Sequence, residues 1–494
     1  MLKFFVSLVC VFVLCPSSST WANGLSVRIL SINQGPNFTL KVDCEVVWQN
    51  SWSESSNAPN HDAVWLFSKQ KEISSFGYLH SKIESASSSD FQIHISNDSL
   101  GLMLESNASL LSKESRGIVS VVFSKKPIQV NFYVGGIEMV FVPEGTFFLG
   151  DAVSNHSFES FLKDPLKIES ENQLKFGDNL SSSTFNSVVG DVPTKFPKGF
   201  NAFYCMKYEI SQQQFAEFLS GLSYVEQKII FDPNANLKLG SNPLVTGSNT
   251  YFNGLSFSEI GFEPINKPFK IECDLNKNGV FNETTDGMTL ACNYLSWFQV
   301  LSYLDWVGLR PMTEFEFEKA CRGFGSSVSK EFAFGTDKVT DANILTNDST
   351  ELETNASIAL VAAGIASHGY FGRSGPLRCG FAATSSTQKL TAGASYWGIM
   401  ELSGNLWEQT MGVNKQNGLL FSDSYGDGFV NSFPADWKTE SCMLRGGAWF
   451  SGIGPTYRDL AVSDRYYYNL ASEIARNTSG GRGVRSLKSF TYDK

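Results

Sequence analysis

Apolar and polar residues alternate along the first part of the chain, from residue 25 to residue 133, with no sustained helical period. Phe38–Val42 alternates from residue to residue, and Val46–Trp48 and Ala63–Phe67 are short apolar runs. A period of two predicts half-buried strands, and short apolar runs between Gly, Asn and Ser predict buried ones. The pattern therefore predicts an N-terminal β-sandwich over residues 23–134.

A helical period appears in three later segments, each opened by a capping box, in which a Ser or Thr stands three positions before a Gln or Glu. The pairs are Ser211 with Gln214, Ser296 with Gln299, and Thr313 with Glu316. Apolar residues follow the first two boxes at helical spacing: Phe215, Phe218, Leu219 and Leu222, then Trp297, Val300, Leu301 and Leu304. Gly308 is predicted to end the second helix. In the third helix, Glu314 and Glu318 are predicted to face water.

Two polar stretches, residues 151–196 and 232–290, are rich in Ser, Asn, Asp and Gly and are interpreted as surface insertions. Within the second, Asp274, Asn276 and Asn278 followed by Gly279 match the start of an EF-hand calcium loop. Thr285 stands where that loop carries a bidentate Glu. Two interpretations stay open, a calcium loop and an Asn-Gly hairpin turn.

Residues 1–22 have the features of a cleaved signal peptide. Lys3 precedes the apolar run Phe4–Cys15, and small residues flank Trp21 at the predicted cleavage site. The run is too short to span a bilayer, and no later apolar stretch is long enough. We therefore expect an exported protein without a transmembrane segment in its mature chain, located outside the cell, at its surface or in the periplasm.

The excess of acidic over basic residues bears on the kind of partner that the protein binds. Asp and Glu number 49 against 39 Lys and Arg, giving a net charge of −10, and no basic cluster interrupts this balance. A phosphate backbone is repelled by such a chain, so nucleic acid is not expected as a partner.

Seven cysteines follow residue 22, an odd number that is sparse for a disulfide scaffold. They are Cys44, Cys205, Cys273, Cys292, Cys321, Cys379 and Cys442. Cys273 and Cys292 flank one loop and are candidates for a pair. Cys205, Cys321 and Cys379 have apolar neighbours and are predicted to be small core residues.

Five segments, in order along the chain, resemble the sulfatase-modifying (formylglycine-generating) family. They are Gly136–Phe147, Phe203–Ser211, Asn293–Trp297 with Leu309–Glu318, Gly398–Glu408, and Arg445–Phe450 with Gly480–Arg485. The resemblance covers about residues 135–488. It implies an α+β architecture in which the β-sandwich is followed, over residues 135–494, by a large variant of the C-type lectin-like fold. Short helices and much irregular structure are expected in that domain.

The resemblance also identifies where the family holds copper. Its enzymes use two cysteines, and the counterpart positions here carry Ser451 and Thr456. Hydroxyls are poor ligands for Cu(I). Cys442 is the nearest thiol, but it precedes the glycine turn and stands alone. We therefore expect neither copper nor formylglycine-generating activity.

Iron is also not expected. Related domains occur in sulfoxide synthases that bind iron, and a facial iron site needs two His converging with a carboxylate. The five histidines are scattered along the chain without such spacing, at His61, His80, His94, His156 and His368.

Calcium is the metal that the resemblance favours. The family's structural site implies carboxylate ligands from Glu401 and Glu408 and backbone carbonyls from Gly404 and Leu406, a hard oxygen set that suits Ca2+. A second family site begins at Asn343–Ile344. The alternative for the first segment is a tight turn packed around Trp407.

A tyrosine-rich tract lies at the end where C-type lectin-like folds carry their ligand site. The candidate ligand-binding residues are Trp449, Tyr457, Arg458, Arg465, Tyr466, Tyr467 and Tyr468. Tyrosine offers rigid amphipathic area, and arginine adds stacking and paired hydrogen bonds. An internal ion-pair network of Arg458, Asp464 and Arg465 is the alternative. At least one of the three consecutive tyrosines is expected in the core.

Two functions remain open from the sequence. The first is an exported, non-catalytic structural or binding module for an extracellular protein or glycan. The second is an oxidoreductase of the formylglycine-generating type, or another enzyme that uses the same cleft.

Overall fold

The computed structural model describes residues 24–35, 39–54, 60–72, 77–107, 114–123, 130–178, 180–182, 187–357, 359–369, 373–430, 433–437, 439–451, 458–467 and 475–490. Strands predominate in this part of the chain and helices are few, as an α+β protein with much irregular structure requires. Over the same residues, no helix has the length and apolar character needed to cross a bilayer.

The N-terminal strands form parts of two sheets. Their bounds are β1 (Ser26–Gln34), β2 (Leu40–Gln49), β3 (Ser53–Glu54), β4 (Asn60–Glu72), β5 (Leu79–His80), β6 (Ile83–Ser87), β7 (Phe91–Ile95), β8 (Gly101–Ser106), β9 (Glu114–Phe123) and β10 (Val130–Val142). Strands β1, β2, β9 and β6 make one antiparallel sheet, while β10, β4, β8 and β7 lie side by side in a second.

The remaining strands are short and mostly paired in twos and threes. They are β11 (Phe147–Leu149), β12 (Phe158–Glu159), β13 (Leu166–Ile168), β14 (Ser181–Ser182), β15 (Phe203–Met206), β16 (Leu255–Glu259), β17 (Lys270–Cys273), β18 (Arg310–Pro311), β19 (Val339–Asp341), β20 (Leu345–Thr346), β21 (Thr354–Asn355), β22 (Gly364–Ala366), β23 (Trp407–Met411), β24 (Cys442–Arg445), β25 (Ser479–Gly480) and β26 (Gly483–Ser486). Strand β23 pairs with β24 and β25, and this small sheet carries the candidate site.

The separate N-terminal β-sandwich is not confirmed. An apolar cluster that includes Val42, Trp48 and Leu104 is buried among the N-terminal strands, but the second sheet does not stop at residue 134. Its order is β18-β26-β15-β10-β4-β8-β7, so it runs on into the C-terminal part. Strand β10 crosses the expected boundary and pairs with β4 on one side and β15 on the other. Alternation predicts strands but does not show where a sheet ends.

Buried charged side chains cross this junction. The ammonium of Lys207, just after β15, lies 2.9 Å from Glu138 Oε2 and 3.6 Å from Asp62 Oδ2. The same ammonium lies 4.8 Å from the centre of the Trp52 ring. Asp62 also accepts a hydrogen bond of 3.1 Å from Trp48 Nε1. Ion pairs away from water hold the strands they join in one register, because separating them leaves uncompensated charge.

Within the described ranges, four α-helices begin where capping boxes place them: α1 (Gln212–Gly221), α2 (Tyr224–Ile230), α3 (Trp297–Trp306) and α4 (Glu314–Cys321). The three predicted boxes are confirmed, with both reciprocal hydrogen bonds present in each. A fourth box, Ser223 with Glu226, opens α2 and was missed from the sequence. The apolar positions predicted for the first two helices are at most 2% exposed. Gly308, with φ of +72°, follows α3 as predicted.

Several apolar residues of the two polar stretches interpreted as surface insertions are buried, while others, such as Phe161 and Leu162, are exposed. Phe158, Val192 and Phe196 from the first stretch are each 0% exposed. Phe257 and Ile271 from the second are 0% and 2% exposed. All five belong to the main hydrophobic core. A few buried side chains spaced widely among polar residues give no periodic pattern.

All seven cysteines after residue 22 are buried and free, so no disulfide links Cys273 to Cys292. The core role predicted for Cys205, Cys321 and Cys379 is confirmed by exposures of 0%, 2% and 0%. Burial also raises the pKa of the Cys205 thiol to about 12, so the reactive thiolate is disfavoured there.

Candidate functional site

The glycine turn after β24 fixes the geometry of the candidate site. Gly446 and Gly447 have φ of +83° and +76°. A Cβ on Gly446 would lie 2.4 Å from the carbonyl oxygen of Leu402. Only glycine combines this conformation with so close an approach. The turn therefore lies directly against the segment that precedes β23.

Ser451 lies in a second tight turn directly after Trp449. Its Oγ accepts a hydrogen bond of 3.0 Å from Ala448 N–H, and the residue is 3% exposed. The hydroxyl thus has a structural partner at the position where the resemblance implies a copper-binding cysteine. Thr456, the second counterpart position, lies outside the described residues.

Trp449 is an interior residue, contrary to its predicted place on a ligand surface. It is 1% exposed, stacks on Tyr251 with ring centres 5.6 Å apart, and donates from Nε1 to Asn477 O at 3.1 Å. Cys379 belongs to the same apolar cluster. Burial raises the pKa of the Cys379 thiol well above its usual value. Cys442 lies in strand β24, 0% exposed, with Sγ 3.7 Å from Gln409 Oε1.

Three buried glutamates and one arginine lie behind the turn. Glu408 Oε1 is 2.5 Å from Arg482 Nε. Glu209 accepts hydrogen bonds from Asn405 Nδ2 at 2.5 Å and from Leu406 N–H at 2.9 Å. These bonds explain the shape of the segment that contains Gly404 and Leu406. Arg378 also attracts Glu401, so formally three carboxylates face two guanidinium groups.

The electrostatics of this cluster follow from burial. Burial raises the pKa of Glu401 to about 7, against the attraction of Arg482. Burial and the charge of Glu408 raise the pKa of Glu209 well above its usual range. Glu401 Oε2 and Glu408 Oε2 are buried and have no hydrogen-bond partner among the described residues. Unpaired carboxylate oxygens of this kind are costly unless a proton or a cation satisfies them.

The donor set therefore fits a hard cation. The resemblance implies carboxylates from Glu401 and Glu408 and backbone carbonyls from the turn between them, the mixture that Ca2+ prefers. In the described part of the chain, no three His, Cys, Asp or Glu side chains form a metal-binding group. Calcium at this turn stays a prediction, and the packed turn around Trp407 remains its alternative.

The second calcium position is tied to a neighbouring serine. Ser357 Oγ donates a hydrogen bond of 2.8 Å to Asn343 Oδ1 and accepts one of 3.1 Å from the backbone N–H of Ile344. Ile344 is 55% exposed. These contacts place the pair on the surface and bring no carboxylate to it.

A charge network beneath the turn was not predicted. Glu314 and Glu318 are each 0% exposed, so the prediction that they face water is wrong. Arg445 reaches both, at 3.0 Å and 2.6 Å. Arg465 bonds Glu314 through Nε at 2.7 Å and Nη2 at 3.0 Å. These partners come from segments more than a hundred residues away, which helix periodicity does not show.

This network places one residue of the tyrosine-rich tract, Arg465, in the interior. Arg465 is 0% exposed, and its remaining donors bond Ser187 and the carbonyl of His156. It belongs to the interior, so its predicted place in a ligand surface is wrong, and the internal ion pair is the arrangement found. Its partner is Glu314 rather than Asp464.

Part of the tract does reach the surface. Tyr466 is 43% exposed, and the exposed guanidinium of Arg458 lies 4.2 Å from the centre of its ring. Tyr467 packs edge-on against Trp407, with ring centres 5.1 Å apart, and is partly buried. Tyr457 and Tyr468 lie outside the described residues.

The histidines show a convergence that sequence spacing did not reveal. His61 Nε2 and His94 Nε2 each lie 3.5 Å from Glu105 Oε1. Tyr204 donates to the same oxygen at 2.5 Å. Burial raises the pKa of Glu105, but these hydrogen bonds outweigh it and hold that pKa well below its usual range. Strand register brings the residues together from β4, β7, β8 and β15, so no local motif marks them.

The glycine turn at Gly446 and Gly447, the turn from Glu401 to Glu408 and the charge network on α4 are neighbours in the fold. All five resembling segments contribute to the region around them. A family model described as the sulfatase-modifying factor enzyme 1-like domain matches residues 134–486. The chain therefore belongs to the sulfatase-modifying factor family. A search of the curated proteins gives no match.

Proposed function

We propose that this protein is an exported, non-catalytic member of the sulfatase-modifying factor family that acts as a structural or binding module for an extracellular protein or glycan. One observation carries the proposal. Ser451 holds its hydroxyl in a backbone hydrogen bond, 3% exposed, at a position that corresponds to a copper-binding cysteine. An oxygen in that place does not supply the soft ligand that Cu(I) needs.

The state of the thiols supports the same function. Cys379, in the apolar cluster that contains Trp449, has a pKa raised by burial. Copper-dependent oxidation in this family uses a pair of thiolates, and in the absence of a metal ion the raised pKa keeps this thiol protonated and unreactive.

Calcium completes the proposal as a structural element. Glu401 and Glu408 would hold the ion through oxygens that are otherwise unpaired, with help from backbone carbonyls of the turn. A bound cation neutralises charge there and so stabilises the folded turn. Glu209 and Arg482 fix the surrounding chain whether or not the ion is present.

Copper titration tests the non-catalytic part. The purified protein, with a thiol-containing peptide and O2, is expected neither to bind stoichiometric Cu(I) nor to consume O2. A variant that carries Cys at both Ser451 and Thr456 serves as the gain-of-ligand comparison. Stoichiometric Cu(I) binding with O2 consumption by the natural sequence would favour the enzyme instead.

The exposed pair Arg458 and Tyr466 is the ligand surface that the described residues favour. An arginine stacked over an exposed tyrosine offers flat apolar area and directed donors together. We expect Tyr466→Ser to weaken ligand binding at least tenfold on arrays of glycans and extracellular proteins. Tyr396→Ser is the matched control, because Tyr396 is 51% exposed elsewhere on the surface. A ligand that tolerates Tyr466→Ser but not the control change would place the binding surface elsewhere.

A further inference from the structure

The loop that follows β17, residues 274–286, is held by hydrogen bonds from its own backbone to its own side chains. Asp274 Oδ2 accepts from Gly279 N–H at 3.3 Å, and Asn276 Oδ1 accepts from Asn278 N–H at 2.9 Å. Asn278 Oδ1 accepts from Val280 N–H at 2.7 Å. Gly279, with φ of +80°, makes the sharp turn that a calcium loop of this spacing requires at its sixth position.

Two carboxylate oxygens in this loop are buried without a partner. Asp274 is 7% exposed and Asp286 is 0% exposed. The Oδ1 atom of each has no hydrogen-bond partner among the described residues. Leaving a buried carboxylate oxygen unpaired is costly, and two such oxygens in one loop double that cost.

The surrounding charges add to the mismatch. Asp274 N–H donates to Gly254 O at 2.8 Å, and a Cβ built on Gly254 would lie 2.9 Å from Asp286 O, so both aspartates adjoin the same residue. At this separation two carboxylates of like charge repel each other. Glu283 adds a third carboxylate, which accepts from Asn278 Nδ2 at 2.6 Å. A divalent cation in the loop would convert this repulsion into attraction.

The structure also shows why the spacing of the EF-hand fails at Thr285. The Thr285 hydroxyl accepts a hydrogen bond of 2.8 Å from Asn276 Nδ2, so it already has a partner. Asp286, one position later, brings its carboxylate to the buried side instead. Its other oxygen is fixed by Glu283 N–H at 2.8 Å. The distal ligand is thus displaced by one residue rather than missing.

An entry path for an ion exists beside the loop. Asp274 and Lys277 line a polar cavity of about 240 Å³ whose other walls come from residues 234–256. Such a cavity admits water, and Ca2+ completes its six to eight oxygen ligands with water where the protein supplies fewer. The wall is built mainly from amide and hydroxyl side chains, which suits a hydrated cation.

We propose that residues 274–286 form a calcium site in which Asp274 and Asp286 are the carboxylate ligands, with oxygens of the loop backbone and water completing the shell. This site is independent of the proposed binding function and of the turn at Glu401 and Glu408. Bound calcium links the end of β17 to the segment after Asp286, which hydrogen-bonds to the first turn of α1. That segment accepts from Gln212 N–H and Gln213 N–H through Leu290 O and Met288 O, each at 2.9 Å.

Calorimetric titration of the chelator-treated full-length chain with CaCl2 tests the proposal. A Glu401→Gln background removes the contribution of the other predicted site. In that background we expect one calcium to bind, and Asp286→Asn to weaken its binding at least tenfold. Thr285→Ala, the matched neighbour, is expected to leave affinity within about twofold. MgCl2 is expected to bind far more weakly, because Mg2+ requires a stricter octahedral shell.

Two further measurements keep the outcome clear. Circular dichroism and the melting temperature without calcium show whether Asp286→Asn still folds, and Asp274→Asn is a second variant with the same expected loss. The proposal is overturned when no calcium binds in the Glu401→Gln background, when Asp286→Asn and Asp274→Asn bind normally, or when Thr285→Ala alone abolishes binding. None of these outcomes bears on copper binding or on the Tyr466 surface, so the proposed function is judged separately.

Discussion

Replacing Glu314 with glutamine is expected to lower the free energy of unfolding by on the order of 3–5 kcal/mol. Glu314 is 0% exposed and holds two arginines, Arg445 and Arg465, which are also 0% exposed. The amide keeps the size of the side chain but removes its charge, and it turns an N–H group toward guanidinium donors. The buried guanidinium groups of Arg445 and Arg465 then lose part of the negative charge that neutralises them. Urea denaturation of parent and variant measures the difference.

A surface pair provides the control. Glu169 and Lys167 form an ion pair with side-chain exposures of 62% and 50%. Glu169→Gln is expected to cost less than about 1 kcal/mol, because exposed ion pairs contribute little. Equal unfolding midpoints for the Glu314 and Glu169 variants would show that the network contributes no more than a surface contact.

Replacing Lys319 with methionine is expected to remove a strong dependence of stability on pH. Lys319, on α4, is 0% exposed; its ammonium donates to Gly145 O at 2.7 Å and lies 4.8 Å from the Phe324 ring centre. Burial lowers the pKa of Lys319 to about 7. Between pH 7 and the ordinary lysine pKa, the unfolded chain binds a proton that the folded chain does not.

Raising the pH through this window therefore favours the folded state. The parent is expected to gain on the order of 3–4 kcal/mol relative to Lys319→Met between pH 7 and pH 10, and the added stability is lost as pH falls through 7. Unfolding free energies measured across this range give the comparison. Lys238→Met, at an exposed lysine, should run parallel to the parent. A constant difference between parent and Lys319→Met would show that Lys319 titrates normally.

Local chemistry made the helices predictable. A capping box needs only two side chains three residues apart, and the hydroxyl and amide at Ser211 and Gln214 satisfy the same backbone groups in the folded protein that they indicate in the sequence. The apolar faces behind the boxes are equally local. The missed box at Ser223 follows from the shortness of α2, whose seven residues give little periodicity.

Such local patterns do not predict contacts between side chains that are far apart in the sequence. Glu318 resembles a solvated helix residue until Arg445, from β24, is placed beside it at 2.6 Å. His61 and His94 look unrelated until strand register aligns both on Glu105. A charged residue is assigned to the surface by default, because its partner is invisible in a local window.

Some residues of the candidate site were located from the sequence, and others became apparent only in the structure. Resemblance located Ser451 and the turn from Glu401 to Glu408, since these lie within continuous motifs. Glu209 also lies in a resembling segment, Phe203–Ser211, but its contact with that distant turn is visible only in the structure. Asp286 is visible beside this loop in the sequence but stands one position past the EF-hand register, and the hydrogen bond at Thr285 exists only in the folded loop.

Strand β10 runs across the position at which the family-matched part of the chain would be cut from the N-terminal part. A fragment beginning at residue 135, close to where the family match starts, would keep the second half of β10 but lose β4, which pairs with it from Val130 through Val140. An uncovered strand of this length presents open donors and acceptors to any other chain. The N-terminal segment thus acts as an edge cover for its neighbour, and we expect the shortened fragment to self-associate rather than remain monomeric.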